Sequence, residues 1–134
     1  MARRLGALAF GAIAVGSAAT AAGADSIDGY RWKSRLLVLA SADAADPMLR
    51  AQREALATVR NGASERDLVT VEAVGREPKA VALRRRLGLP DDGFRAVLIG
   101  KDGGAKLTSD RPIAPQTLFS TIDAMPMRRG EMKR

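Results

Sequence analysis

Apolar residues follow three patterns along this chain: one alanine- and glycine-rich run at the start, short runs of strand type, and helical stretches between them. The start carries Arg3 and Arg4, then an apolar run from Leu5 to Val15, then the small residues Ala22-Gly23-Ala24. A basic start, an apolar middle and a small-residue ending make a secretory signal peptide over residues 1–24, with cleavage between Ala24 and Asp25. A permanent anchor is the alternative, but the run lacks the roughly 20 strongly apolar residues that spanning a bilayer takes. No later stretch is long or apolar enough to span a membrane.

The next apolar run, Arg35-Leu36-Leu37-Val38-Leu39-Ala40, is unbroken and bounded by polar residues, as in a central strand buried on both faces. Ser41 to Asp46 forms a loop ending in a helix start, with Asp46 as N-cap and Pro47 at the first helical position. That helix carries Met48, Leu49, Ala55, Leu56 and Val59 to about Arg60, where Asn61-Gly62 supplies a stop. After the charged turn Glu65-Arg66-Asp67, the alternating, β-branched segment Leu68 to Val74 predicts a second strand, ended by Gly75. Pro78 starts a second helix with Val81, Leu83 and Leu87, stopped by Gly88 and Pro90. Phe94 to Ile99 and Lys106 to Ser109 flank the turn residues Lys101-Asp102-Gly103-Gly104-Ala105 and predict a β-hairpin. Pro115 begins a third helix through Leu118, Phe119 and Ile122, with Ile113 placed to staple onto Leu118, and Pro126 closes it. The tail, residues 127–134, shows no apolar period and reads as loose.

The order is therefore β-α-β-α-β-β-α in one α/β domain over residues 25–126. Strands one and two are parallel through a right-handed crossover, and the hairpin adds an antiparallel edge. This predicts a thioredoxin-like fold, a mixed four-stranded sheet with helices on both faces. A flavodoxin-like fold competes, but it needs further parallel strands that the last part of the chain cannot supply.

Composition then removes whole classes of chemistry. The 134 residues contain neither cysteine nor histidine. Zinc sites of Cys/His type, Ser-His-Asp triads, Cys-His nucleophiles, His-ligated haem and CxxC redox exchange are thereby excluded, and no cofactor is expected. Stability must come from the core, although disulfides could form in an exported protein. In a Gram-negative cell that destination is the periplasm. The net charge is +7, and losing the leader lowers it by two. A basic balance favours anionic partners such as lipid head groups, acidic polymers or an acidic protein. Nucleic acid is not expected, because the chain offers no stacking platform of rings and cations.

In thioredoxins the redox pair lies between the first core strand and the following helix, where Ser41, Asp43 and Asp46 stand in this chain. The residues before the third strand, Gly93-Phe94-Arg95, also lack the proline found there in thioredoxins. Four segments carry a closer resemblance: Tyr30-Arg31-Trp32-Lys33, Arg66-Asp67-Leu68, Ile99-Gly100-Lys101-Asp102-Gly103-Gly104 with Lys106-Leu107, and Ile122-Asp123-Ala124-Met125-Pro126-Met127-Arg128-Arg129. In these the chain resembles the family of domain of unknown function 4174, which occurs in short exported bacterial proteins and in some vertebrate matrix and sushi-repeat proteins. The resemblance implies a thioredoxin-like fold outside the cytoplasm and no settled activity.

Candidate sites follow. Period-two spacing would put Tyr30 and Trp32 on one face and Arg31 and Lys33 on the other. The two rings either cover an end of the core or form a rim that grips an anionic or aromatic ligand. Asp43 and Asp46 lie where α/β folds tend to hold ligands, although capping explains Asp46 and a solvated loop explains Asp43. Their pairing is the basis of an alternative reading, a carboxylate-dependent hydrolase. Lys101 in the hairpin and Arg128 and Arg129 in the tail complete the ligand-binding candidates, and Arg84-Arg85-Arg86 either complement a helix dipole or join the tail in one positive surface. Met125, Met127 and Met132 suggest Cu(I), but the neighbouring cations oppose it. The leading expectation is a non-catalytic periplasmic binding or scaffolding protein that engages an anionic envelope component or protein.

Overall fold

A computed structural model describes residues 27–133. The leader and its cleavage point at Ala24 and Asp25 lie outside the described residues. A 3-10 turn, Ile27–Tyr30, leads into β1 (Arg35–Ser41), α1 (Pro47–Ala57), α2 (Arg60–Glu65), β2 (Leu68–Val74), α3 (Pro78–Arg86), β3 (Arg95–Ile99), β4 (Ala105–Ser109), α4 (Pro115–Asp123) and α5 (Pro126–Met132). The sheet order is β2-β1-β3-β4. β1 runs parallel to β2, pairing Arg35 with Leu68 through Ser41 with Val74, and antiparallel to β3, which in turn pairs antiparallel with β4.

All seven residues of β1 are buried, as its unbroken apolar run requires of a strand covered on both faces. Leu37 and Leu39 pack with Leu49 of α1 and with Leu118 and Ile122 of α4. Leu36, Val38 and Ala40 pack on the opposite face with Leu83 of α3. The helix starts follow local chemistry: Asp46 Oδ1 accepts from the Met48 amide at 2.9 Å, and prolines open α1, α3, α4 and α5. Ile113 and Leu118 share one cluster, in keeping with the staple.

Three local expectations are corrected. The helix after β1 ends at Ala57, and Asn61-Gly62 lies inside the separate helix α2 rather than stopping a longer one. Glycine is needed there for packing, since a Cβ at Gly62 would fall 2.7 Å from Phe119 Cε2. Met48 is exposed, and the buried positions of α1 are Leu49 and Gln52. The tail is not loose, because Pro126–Met132 forms a helix with Arg128 buried.

Gln52 is fully buried, and its side chain reproduces a main-chain pairing. Nε2 donates to the Ile113 carbonyl at 3.0 Å and Oε1 accepts from the Ile113 amide at 2.7 Å. The connection between β4 and α4 is thereby pinned to α1. Gln52→Leu keeps the volume but leaves both Ile113 groups buried and unmatched, so it should cost roughly 2 to 4 kcal/mol. Urea unfolding checks this through a lower midpoint at unchanged slope; a wild-type midpoint would contradict it.

Candidate functional site

The two ends of β1 carry different polar chemistry. At its carboxyl end, Asp43 and Asp46 are engaged in local structure. Asp43 Oδ1 accepts from the Ala45 amide at 2.8 Å, while Asp46 caps α1 and its Oδ2 accepts from the Ser41 hydroxyl at 2.8 Å. Two carboxylates spent in this way do not face a common reacting point, so the geometry does not favour the hydrolase reading. Arg84 is also here, only 2% exposed, with Nη1 donating to the carbonyls of Ala73 at 2.9 Å and Ser41 at 3.3 Å. Its neighbour Arg86 pairs with Asp28. The run Arg84-Arg85-Arg86 therefore does not form a single positive surface.

The amino end of β1 is organised around buried charge. Arg35 is 0% exposed, and its guanidinium meets the Glu131 carboxylate through two contacts at 3.1 and 3.2 Å. Glu131 also accepts from Lys101 at 2.7 Å, and Lys101 reaches Asp67 at 2.8 Å. Arg128, 4% exposed, bonds Asp123 at 3.1 Å and Glu65 at 2.9 Å. Arg66 grips Asp123 with two bonds of 3.0 Å and stacks on the Phe119 ring, 4.1 Å from its centroid. Such fork-on-carboxylate contacts are both strong and directional. Four cations here face four carboxylates, so Lys101 and Arg128 contribute no free positive charge. Arg129 is exposed.

Trp32 sits at the rim of this network. The chain from Tyr30 to Lys33 is a tight turn rather than an extended segment, so the period-two expectation is corrected. Lys33 and Ser34 donate to the Tyr30 carbonyl, and Trp32 takes φ of 70°. A left-handed conformation is a genuine outlier for a bulky residue, and such strain persists only where the surroundings hold it. Here the Trp32 amide donates to the Lys101 carbonyl at 2.6 Å. Arg31 donates from Nε to the Asp102 carbonyl at 3.1 Å and lies 5.7 Å from the centre of the Trp32 ring. Gly103, at φ of 86°, leaves room for it, since a Cβ there would come within 3.3 Å of Arg31 Nε. Tyr30 instead packs on the core beside β1. Lys33 is exposed. The rings are thus separated, one covering the core and the other 61% exposed.

Beside Trp32 lies a pocket of about 320 Å³ between the hairpin turn and the joint of α4 and α5. Its lining includes the exposed Trp32 ring and Met127, the buried Arg35 and Lys101, and the exposed pair of Lys106 and Asp102, 2.9 Å apart. Arg35 Nε has no hydrogen-bond partner within the protein. Of the candidates read from the sequence, Arg31, Trp32, Lys101 and Arg128 come together at this end. Asp43 and Asp46 lie beyond the other end of β1, a strand length or roughly 20 Å away. Arg35, Asp67, Asp123 and Glu131 are the site residues that sequence reasoning missed, and Met127, weighed only as a copper ligand, lies at the pocket instead. The one signal for them was a charge adjoining an apolar run or turn.

Burial pushes the Glu131 carboxyl up, but hydrogen bonds and charge from Arg35 and Lys101 outweigh it and hold the group down to about 2. The Arg66 hydrogen bond, joined by Arg128, holds Asp123 below the usual carboxylate range against its burial. Burial lowers Lys101, and its bonds to Asp67 and Glu131 reverse that to a net rise. A carboxyl depressed by folding adds stability that is fully present above its unfolded pKa and is lost as pH falls through its folded one. Wild-type stability should therefore drop between about pH 4.5 and pH 2. Glu131→Gln should be much less stable than wild type at pH 7, with the two converging toward pH 2. Urea midpoints at both pH values check this, and a constant gap would contradict it.

Comparison with known proteins places this chain in a wider group. The sushi repeat-containing protein SRPX of Rattus norvegicus is 30% identical over 120 aligned residues, covering 79% of this chain and 26% of its own. The Homo sapiens protein of that name is 30% identical with the same coverage, and that of Mus musculus 29%. The chain thus spans about a quarter of the length of these curated relatives. No solved structure matches. The family described as Domain of unknown function (DUF4174) matches residues 26–131, a span that takes in the whole network from Arg35 to Glu131, and the chain belongs to that family.

Proposed function

We propose that this domain is a non-catalytic, thioredoxin-like binding module of the periplasm that engages an anionic partner at the Trp32 pocket. The observation that carries the reading is the Trp32 ring itself, solvent-exposed and held in a strained backbone conformation beside a pocket whose one exposed cation, Lys106, is held only by the surface carboxylate of Asp102 at 2.9 Å. Strain of this kind costs on the order of 1–3 kcal/mol, and it is characteristic of sites where a side chain must be presented. The ring and Met127 offer apolar contact, and Lys106 offers donors to an acceptor. The thioredoxin-like assignment is supported by the sheet order β2-β1-β3-β4 with β3 antiparallel to the others. Export is supported by the leader pattern of residues 1–24, and among the described residues no helix is long and apolar enough to cross a membrane.

Trp32 is the only tryptophan, so its fluorescence reports on the pocket directly. Titrating the mature protein with anionic components fractionated from envelope extract should shift that emission saturably. The response should weaken several-fold when ionic strength rises from low to roughly 0.3 M. Lys106→Ala should weaken it while leaving the melting temperature nearly unchanged. Emission that no fraction alters, or a response indifferent to salt, would overturn the reading.

A further inference from the structure

The two edges of the sheet are built differently. β4 is short, carries Lys106, and pairs with β3 in a register that shifts between Leu98 and Ile99. Shortness, lysine and irregularity are the usual means by which an edge strand is kept from pairing with another chain. β2 has none of them. It is seven residues long, pairs with β1 without interruption and contains neither lysine nor proline. Its single charge, Glu72, is taken up by Arg53 at 2.6 and 2.7 Å.

The main chain of β2 is half used. Asp67 accepts from the Arg35 amide at 2.8 Å and the Gly75 amide donates to Ser41 at 2.9 Å, so odd-numbered residues turn their groups toward β1. Leu68, Thr70, Glu72 and Val74 then turn theirs outward. Among the described residues, no hydrogen bond from another element reaches those four main-chain positions. Alongside runs a groove of about 530 Å³, with Leu56 and Leu68 among its apolar residues and Arg53 and Arg60 among its lining.

We infer that the outer edge of β2 is a strand-addition site for an extended acidic peptide of a partner protein. Strand addition gives affinity through main-chain hydrogen bonds and selectivity through alternate side chains. Apolar side chains of the peptide would cover Leu56 and Leu68, and acidic ones would reach the exposed Arg60. A second copy of this chain is the less suitable occupant, because it carries the same positive balance. The inference is independent of the Trp32 pocket, which lies beside the hairpin.

The test uses the mature protein and a short end-blocked peptide of alternating glutamate and valine, with its lysine-for-glutamate counterpart as control. Amide NMR should show saturable binding of the acidic peptide, with slowed hydrogen exchange at Thr70, Glu72 and Val74 and unchanged Trp32 fluorescence. Thr70→Pro removes an outward amide without touching the ladder to β1 and should weaken binding roughly tenfold or more. Should that variant fail to fold, Thr70→Glu keeps the main chain, sets a carboxylate against the acidic peptide and should have the same effect. Equal binding of the lysine peptide, unprotected amides at those three positions, or dimerisation through this edge without peptide would each overturn the inference.

Discussion

Arg35 lies at the start of the central strand with no exposure to water, and a guanidinium so placed must find its compensation inside the protein. Two carboxylate oxygens of Glu131 supply it, and Glu131 stands in the last helix, 96 residues further along the chain. That carboxylate arrives only if α5 is folded and docked. Lys101, which shares it, arrives only if the hairpin is closed, and Asp67, the other partner of Lys101, takes φ of 52° at the threshold of β2. A buried ion pair seldom adds much net stability over an apolar pair of similar size, but removing one partner costs about 3–5 kcal/mol. The network therefore fixes where segments sit more than how stable the whole is.

What it fixes is the setting of Trp32. The Lys101 carbonyl that holds the Trp32 amide belongs to the residue whose ammonium is locked by Asp67 and Glu131. Met127 lies on the helix that delivers Glu131. The ring and the thioether are thus placed by one set of charges. α5 illustrates the economy of this arrangement, since its one buried residue is Arg128, itself paired with Asp123 and Glu65. The four segments through which the sequence resembles its family, distant from one another along the chain, meet here.

Much of the fold was legible because it follows from apolar periodicity. The run from Arg35 to Ala40 reads as a strand covered twice, and the segment Leu68 to Val74 forms β2 with those limits. The site was less legible because it is built from charges, whose pattern in sequence says nothing about which distant partner they meet. α5 has no apolar period to read, since ion pairs dock it. Gln52 occupies a core position with a polar side chain that only the Ile113 main chain justifies. The turn at Trp32 reads as extended in the sequence because no glycine marks its left-handed backbone. Arg31, Trp32, Lys101 and Arg128 nonetheless stand out by charge and aromatic content, and they do converge.

The most direct test of the claim that Arg35 and Glu131 act as one unit is a double-mutant cycle on Arg35→Met and Glu131→Gln, read by urea unfolding at neutral pH. Glu131→Gln leaves the buried Arg35 guanidinium without a carboxylate and Arg35→Met leaves Glu131 with half of its main partners, Lys101 remaining, whereas the double variant removes both charges. The expected result is strong coupling, with the double variant no less stable than the worse of the two single ones. Losses that simply add would contradict it.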